Sequence, residues 1–253
     1  MIKLENLTKR YGDFIAVNNV TLTVERGKLF GFLGPNGAGK TTTIKMMTGL
    51  LKPTSGRVLI GENDIEEQPV EAKSRIGFIP DRPFLYEKLT GIEFLRFMAD
   101  IYQVERKETE KRALEFLELF ELLGWKDELI EGYSHGMKQK LVISSALLHK
   151  PQFLIVDEPM VGLDPKSAKL IKELFKQMSR LGVTIFMSTH SLEVAQEMCD
   201  EIAIIQEGKV IALGTMKELQ EMAASDDGRL ESIFLKLTGD ESMKELIEVL
   251  RTS

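Results

Sequence analysis

A glycine-rich run near the start of the chain restricts the possible folds more than any other feature. The run is Gly34-Pro35-Asn36-Gly37-Ala38-Gly39-Lys40-Thr41. Glycines let the backbone curl until successive N–H groups converge on phosphate oxygens, and a helix that starts near Gly39 adds the positive end of its dipole. The run therefore predicts a phosphate-binding loop for a nucleoside triphosphate. The expected contacts are Gly34, Asn36, Gly37, Ala38, Gly39, Lys40, Thr41 and Thr42.

Two side chains of this loop carry chemistry. Lys40 would reach the β- and γ-phosphates, which makes it a catalytic candidate, and the hydroxyl of Thr41 would bind Mg²⁺. Residues 29–33 before the loop read as a buried strand, and residues 42–47 after it read as a helix, which is the setting that such a loop requires. The alternative is an ordinary glycine-rich turn between a strand and a helix.

Composition limits the remaining classes of protein. The chain has 253 residues, of which 43% are hydrophobic, enough for one large α/β domain or one domain with a subdomain. The net charge is −6 and no basic run is interleaved with aromatic residues, so no nucleic acid is expected as a partner. Cys199 is the only cysteine, which excludes intrachain disulfides. The charged N-terminus and the short uncharged runs predict a soluble cytoplasmic chain.

Hydrophobic periodicity predicts an α/β fold with a mostly parallel core sheet, an N-terminal antiparallel β subdomain and an inserted helical subdomain. Residues 2–33 and 57–63 predict antiparallel strands. A helical subdomain is expected at about 83–150, and Gly124 should end its second helix. The apolar residues with helical spacing in that insertion are Phe94, Phe97, Met98, Ile101, Leu114, Leu117 and Phe120.

The second half of the chain alternates strands with helices, which is typical of a mostly parallel sheet. The strands are expected at 153–156, 183–187 and 202–205, and the helices at about 166–181 and 191–199. We place the main domain at 1–214 and a small acidic helical tail at 215–253, with a break at 226–228.

Two acidic residues follow the apolar run that ends at Val156. Because open parallel sheets bind ligands at the carboxyl ends of their strands, Asp157 would lie at such a site and hold Mg²⁺. Glu158, one residue further, would polarise the water that attacks the γ-phosphate. The alternative is that the two acidic residues form a solvated helix cap. The presence of the phosphate-binding loop favours the Mg²⁺ site over this alternative.

With both elements present, the chain resembles the ATP-binding subunit of an ABC transporter over nearly its whole length. Further motifs follow in the order of that family. Tyr11, in Lys9-Arg10-Tyr11-Gly12, resembles the aromatic residue that stacks on adenine, and a strand aromatic packed on the core is the alternative. His190, which follows the apolar run ending at Met187, resembles the histidine that contacts the γ-phosphate and orients the attacking water. The resemblance therefore adds His190 to the catalytic candidates, although a lone histidine at a strand end is more often structural.

Two other motifs imply a second subunit. Tyr133-Ser134-His135-Gly136-Met137-Lys138-Gln139 resembles the signature sequence, in which Ser134 and Gly136 at a helix start meet the γ-phosphate held by the opposite subunit. Without the resemblance, Ser134 is an ordinary helix N-cap. Gly162-Leu163-Asp164-Pro165 resembles the loop that carries Asp164 across the dimer interface, and otherwise reads as a turn. The resemblance thus implies a head-to-tail pair with a second copy or a homologous ATPase subunit.

Three positions depart from the family pattern. Asp81 stands where the family usually has Gln, and it keeps an oxygen for Mg²⁺ or water while adding negative charge near the γ-phosphate. His135 replaces the first of the paired signature glycines, and Met137 replaces the signature Gln. ATP and Mg²⁺ are the expected ligands, and Thr41, Asp157 and Asp81 the expected metal ligands. The remaining motif residues predict a competent ATPase.

The resemblance also implies separate transmembrane permease subunits at the cytoplasmic face of the cell membrane. Pro83-Phe84-Leu85-Tyr86 and Phe94 would line a groove for a permease helix, although an apolar patch there is equally the core of the subdomain. The form of the signature sequence and residues 230–238 resemble exporters of the ABC-2 type. Two alternatives stay open: a soluble ABC ATPase with a non-transport task, and a small-molecule kinase that uses the same phosphate loop.

Overall fold

Two separate sheets organise residues 1–224 and 229–238, the part of the chain that the computed structural model describes. In chain order the strands are β1 (Ile2–Tyr11), β2 (Phe14–Val24), β3 (Leu29–Leu33), β4 (Ser55–Ile60), β5 (Asn63–Asp64), β6 (Ile76–Ile79), β7 (Phe153–Asp157), β8 (Thr184–Thr189), β9 (Glu201–Gln206) and β10 (Lys209–Gly214). The helices are α1 (Lys40–Met47), α2 (Pro69–Ser74), α3 (Gly91–Ile101), α4 (Arg106–Leu119), α5 (His135–Leu147), α6 (Pro165–Arg180), α7 (Leu192–Met198), α8 (Met216–Met222) and α9 (Leu230–Thr238). The antiparallel sheet has the order β2-β1-β4-β5, and the core sheet has the order β10-β9-β3-β8-β7-β6.

The antiparallel sheet is built on a long hairpin. β1 and β2 pair from Ile2 opposite Val24 to Tyr11 opposite Phe14. Between them Gly12 has a φ of 59°, in the left-handed region that this tight turn requires and that glycine adopts most easily. The hairpin therefore ends in two aromatic residues that lie across from each other.

The core sheet is parallel except for β10, which runs antiparallel to β9. Every residue of β3, β7 and β8 is buried. Along β7, Phe153 and Ile155 pack into the cluster that contains the antiparallel sheet, whereas Leu154 and Val156 pack into the cluster that contains the helical insertion. Because successive side chains point to opposite faces and both faces are covered, these strands read as continuous apolar runs. The predicted α/β fold class is confirmed.

The prediction that residues 29–33 belong to the antiparallel strands is wrong. β3 pairs in parallel with both β8 and β9 and lies inside the core sheet. The physical reason is visible in its composition, because both faces of Leu29-Phe30-Gly31-Phe32-Leu33 are apolar and suit a strand covered on two sides.

The helical insertion between β6 and β7 consists mainly of α3, α4 and α5. The capping box at Thr90 and Glu93 starts α3, since Thr90 Oγ1 accepts from Glu93 N at 3.3 Å and Glu93 Oε2 accepts from Thr90 N at 2.9 Å. Leu95 and Leu141 are fully buried in the same cluster as Val156 of the core sheet. Each such leucine contributes about 1.5–3 kcal/mol of burial free energy, so the insertion and the sheet share one core.

The prediction that Gly124 ends the second of these helices is wrong. α4 ends at Leu119, and the chain reverses at Glu121, which has a φ of 59°. Phe120 and Leu122 are both only 1% exposed. Their burial draws the chain toward the core before Gly124 is reached, so tertiary packing ends the helix earlier than the glycine signal.

The described part of the acidic tail packs against the core sheet and α7. Leu230 and Ile233 of α9 are fully buried in one cluster with Ala195 of α7 and Leu219 of α8. The predicted break at 226–228 lies outside the described residues. Within residues 1–224 and 229–238, no helix combines the length and the apolar character that crossing a membrane requires.

Candidate active site

A cleft of about 420 Å³ opens where the parallel strands end and the glycine-rich loop begins. Because β3, β8, β7 and β6 are neighbours and run in parallel, the residues that follow them converge at this edge. The tip of the β1–β2 hairpin closes one side. The lining residues are Tyr11, Phe14, Ala16, Asn36, Gly37, Gly39, Lys40, Thr41, Thr42, Asp81, Asp157, Glu158, Val161 and His190.

The glycine-rich loop wraps around the start of α1. Gly39 caps the helix with a φ of 105°, and a β-carbon there would lie 2.5 Å from the carbonyl oxygen of Ala16. The first bond of the helix runs from Thr43 N to Gly39 O at 2.9 Å. The N–H groups of Lys40, Thr41 and Thr42 are therefore not used within the helix and can bind an anion.

Lys40 lies inside the loop with only 7% of its surface exposed. Its Nζ donates to the carbonyl oxygens of Gly34 at 2.7 Å and Pro35 at 3.1 Å. Burial lowers the pKa of this ammonium, and the charges of Glu158 and Asp157 act in the opposite direction. A partly desolvated cation beside a loop of N–H groups is suited to a polyphosphate.

The two acids after β7 point to different partners. Asp157 is 2% exposed, and its Oδ1 accepts a hydrogen bond from Ser188 Oγ on the neighbouring strand. Glu158 has a φ of 50°, a left-handed conformation that is uncommon outside glycine and that turns the chain sharply after the strand. This turn separates the directions of the adjacent carboxylates, and both residues line the cleft.

Both carboxylate oxygens of Glu158 have partners on the segment after β8. His190 Nδ1 lies 2.8 Å from Oε1, and Thr189 Oγ1 donates to Oε2 at 3.3 Å. The Glu158 side chain is 13% exposed, whereas that of His190 is 58% exposed. The sequence separates Glu158 and His190 by 32 positions, and the parallel pairing of β7 with β8 brings them together. An exposed imidazole held by one hydrogen bond contributes little to packing of the core. This argues against the alternative that His190 has only a structural role.

The predicted metal ligands Thr41, Asp157 and Asp81 all line the cleft. In residues 1–224 and 229–238 no group of three or more His, Cys, Asp and Glu side chains is placed to hold a metal ion. One hydroxyl and two carboxylates fit Mg²⁺ better than a transition metal, because Mg²⁺ completes its shell with phosphate oxygens and water.

Aromatic residues form the outer wall of the cleft. Tyr11 is 51% exposed, which contradicts the alternative that it packs on the core, and Lys9 Nζ lies 5.3 Å from its ring centroid. Phe14, 65% exposed, lines the same wall and was missed from the sequence, as were Ala16 and Val161. Pairing across the Gly12 turn was the available signal, since it places Phe14 opposite Tyr11.

The predicted residues of the signature sequence lie elsewhere. Ser134 and Gly136 are at the start of α5 and do not line the cleft. Ser134 Oγ accepts from Met137 N at 3.3 Å, as an N-cap does. Asp164 caps α6 by accepting from Ser167 N at 3.0 Å, and it does not line the cleft either. One chain therefore brings six of the eight predicted phosphate-loop residues to the cleft, all except Gly34 and Ala38, but not the signature residues.

Comparison with known proteins gives the family. The family model described as ABC transporter matches residues 17–161, which is more than half of the chain. The linearmycin resistance ATP-binding protein LnrL of Bacillus subtilis (strain 168) is 40% identical over 226 residues, which are 89% of this chain and 73% of LnrL. The chain therefore belongs to the ABC transporter family, as one of its ATP-binding and ATP-hydrolysing subunits.

Solved structures agree with this assignment. A structure described as the ATP-binding subunit of an ABC transporter has a TM-score of 0.90 and 33% identity, and the match covers 94% of this chain and 99% of that one. A dimeric ATP-binding cassette in a post-hydrolysis state with ADP and phosphate has a TM-score of 0.78 and 29% identity. That match covers 85% of this chain and 98% of that one.

Proposed function

We propose that this chain works as one half of a head-to-tail dimer, in which each ATP lies between the phosphate loop of one chain and Ser134 of the other. The observation that carries the proposal is the separation of the predicted residues. Lys40, Glu158 and His190 line one cleft, whereas Ser134 and Gly136 lie outside it at an exposed helix start. The dimeric cassette with ADP and phosphate supports this arrangement, since a second chain can supply the missing groups.

In this proposal the loop binds and orients the triphosphate. The N–H groups at the start of α1 and the ammonium of Lys40 bind the β- and γ-phosphate oxygens. Thr41 and Asp157 hold Mg²⁺, with Asp81 as a further oxygen, and the ion when bound neutralises charge on the β- and γ-phosphates. The ring of Tyr11 stacks on the adenine.

Glu158 activates the attacking water. Its oxygens accept from His190 and Thr189, which hold the carboxylate in place and leave lone pairs for a water hydrogen. As Glu158 accepts a proton from the water, the water oxygen forms a bond to the γ-phosphorus and the bond from the γ-phosphorus to the β,γ-bridging oxygen breaks, so that ADP and inorganic phosphate are released. His190 positions Glu158 and contacts the γ-phosphate, and its exposure leaves it free to do so.

The coupling to transport lies in a second groove beside the cleft. This groove of about 650 Å³ is lined by exposed aromatic residues, with Phe84 82%, Tyr86 52% and Phe97 40% exposed. Leu85 packs against the core cluster instead, and Phe94 belongs to the core while also reaching the groove. We assign the groove to a helix from a separate permease at the cytoplasmic face of the membrane.

Two further features bear on transport, one on its coupling to ATP and the other on its direction. Asp81 lines both the cleft and the groove, so a change at the γ-phosphate can reach the permease through this residue. The resistance function in the name of LnrL favours export of a toxic compound, and the form of the signature sequence favours a system of the ABC-2 type. Co-purification of a membrane protein with the tagged chain from membranes tests this part.

The substitution Glu158→Gln tests the dimer and the role of Glu158 together. It removes the general base while keeping the size and the loop, so we expect hydrolysis to fall by roughly 10²- to 10⁴-fold while ATP binding persists. With ATP and Mg²⁺ the variant should elute as a dimer in size-exclusion chromatography. Glu193→Gln, on the exposed start of α7, is the control and should retain full turnover.

A mixture of two inactive variants separates the two half-sites. Ser134→Arg should block the cleft of the opposite chain, so each homodimer of Ser134→Arg or Glu158→Gln should be inactive. The mixed dimer contains one complete site, formed by the cleft of the Ser134→Arg chain and Ser134 of the Glu158→Gln chain. We expect the mixture to regain phosphate release. Full activity of Ser134→Arg alone would contradict the shared site and favour a kinase.

A further inference from the structure

His135, the residue that departs from the family glycine, packs directly on the loop after β7. A β-carbon at Gly162 would lie 2.6 Å from Nε2 of His135, and Gly162 has a φ of 76°. The neighbouring residue Gly136 is similarly close, because a β-carbon there would lie 3.3 Å from the carbonyl oxygen of Gly162. The first turn of α5 and the backbone at Gly162 are therefore in contact with no space between them.

The loop that carries Gly162 begins at Glu158 and is wound tightly. Val161 N donates to Glu158 O at 3.3 Å, and Leu163 N donates to Met160 O at 3.4 Å. Met160 and Leu163 pack against the main core cluster. These two successive turns are held by apolar side chains, so the loop can change its length very little. A displacement of Gly162 therefore moves the backbone of Glu158.

A second contact joins the same two segments. Lys140, one turn further along α5, has its Nζ 3.9 Å from Oδ2 of Asp164. Met137 of α5 packs against the core cluster that Leu163 also contacts. His135 itself is exposed and is not a member of the core cluster, and its ring lies against Gly162.

We propose that His135 is a positioning residue that couples the two nucleotide sites of the dimer. The inference rests on the proposed function, in which Ser134 completes the site of the partner while Glu158 serves the site of its own chain. His135 connects these two residues, because it follows Ser134 in the sequence and contacts the loop that starts at Glu158. ATP bound against Ser134 in one site therefore biases the position of Glu158 in the other.

The first test replaces His135 with glycine, which removes the contact. In the wild-type chain two coupled sites give a Hill coefficient for ATP hydrolysis approaching about 2. The measurement uses a protein concentration that keeps the chain dimeric at every ATP concentration, so that ATP-driven dimerisation adds no cooperativity. His135→Gly should then lower the coefficient to about 1, because the sites act independently. ATP binding to the isolated chain and the melting temperature should not change, since His135 is exposed and lies outside the cleft. A purely structural role would instead lower the melting temperature.

The second test uses the opposite change, Gly162→Ala, which forces a methyl group into the imidazole. We expect turnover to fall roughly 10- to 100-fold from displacement of Glu158. Gly182→Ala is the matched control, because Gly182 has a φ of 93° and no atom within 4 Å of a β-carbon, so it brings the backbone strain without the clash. Adding His135→Gly to Gly162→Ala should restore most of the turnover.

The outcomes distinguish this inference from the proposed dimer. If Glu158→Gln does not dimerise with ATP, the proposed function fails. If it does dimerise, the inference is overturned by a Hill coefficient that His135→Gly leaves unchanged, by a wild-type coefficient of about 1, or by a double variant no more active than Gly162→Ala.

Discussion

The phosphate-loop cleft and the start of α5 differ in how far one chain completes them. In the cleft, four segments that are distant in sequence converge, because parallel strands place their carboxyl ends at one edge. At the start of α5 a single segment presents Ser134 and Gly136 at the surface. The comparison teaches that the sheet topology gathers the candidate catalytic residues within one chain, whereas in the proposed function the start of α5 completes a site only with a second chain.

Burial and charge follow the same division. Lys40 and Asp157 are 7% and 2% exposed, and each has hydrogen-bond partners within the chain. Ser134 and His135 are exposed, and within residues 1–224 and 229–238 the hydroxyl of Ser134 bonds only to its own helix. Buried charges must find partners during folding, but an exposed N-cap can exchange its partner for a phosphate at little cost.

Lys40→Ala should have the largest effect, and it tests the part of the comparison that concerns the phosphate-loop cleft. It removes the cation that we propose faces the β- and γ-phosphates, so we expect ATP affinity to fall on the order of 100-fold. Lys45→Ala, an exposed lysine on the same helix, is the control and should bind ATP normally. Titration calorimetry with the isolated chain measures both. Equal affinities for the two variants would mean that the cleft does not bind the triphosphate.

Tyr11→Ala should have an intermediate effect and tests the outer wall of the cleft. Loss of a stacking platform typically costs about 1–3 kcal/mol, so we expect ATP affinity to fall roughly tenfold. Phe14→Ala, across the hairpin, serves as the comparison variant. Binding of inorganic triphosphate should be unaffected in both, because the wall contacts the base. A larger loss for Phe14→Ala would assign the stacking role to Phe14 instead.

The last prediction concerns stability and not nucleotide binding, and it tests the segment just after α5, which is anchored whereas the start of that helix is exposed. His149 Nε2 donates to Ile76 O at 3.0 Å, its ring stacks on Tyr102 with centroids 3.7 Å apart, and its Nδ1 is buried without a partner in the described chain. Burial lowers the pKa of His149 to about 4 from 6.5. Between these values the unfolded chain binds more protons than the native chain, so the unfolding free energy falls as the pH falls.

His149→Gln isolates this contribution, because glutamine can donate to Ile76 O and does not titrate. Between pH 7 and pH 5 the wild-type chain should lose about 2 kcal/mol more unfolding free energy than His149→Gln, as measured by urea denaturation. Full-length protein is used for both. Parallel pH profiles would show that His149 titrates normally and that the segment just after α5 is less well packed than the structure indicates.

Motif residues were predictable because their chemistry is local. The glycines, Lys40 and Thr41 lie within eight consecutive positions, and their backbone conformation follows from residue type. The strand-end positions of Asp157 and Glu158 were equally readable from the apolar run before them. Phe14 was missed because its role depends on the register of a hairpin, and only that register places it beside the phosphate loop.

The two wrong structural predictions share one cause. An apolar run such as 29–33 indicates that a strand is buried on both faces, but it does not indicate which strands pair with it. Gly124 is a reasonable helix end by residue type, yet burial of Phe120 and Leu122 ends α4 earlier. In both cases long-range packing overrode a local signal.

Local sequence was sufficient to select the candidate phosphate-binding groups, since backbone freedom, hydroxyls and charges belong to individual residues. It was also sufficient for the family, because several such groups occur in a known order. Strand order, the 2.8 Å contact between Glu158 and His190 and the packing of His135 on Gly162 came from the folded chain alone. These features join segments far apart in sequence, and only the packing of both faces of the core sheet selects which segments meet.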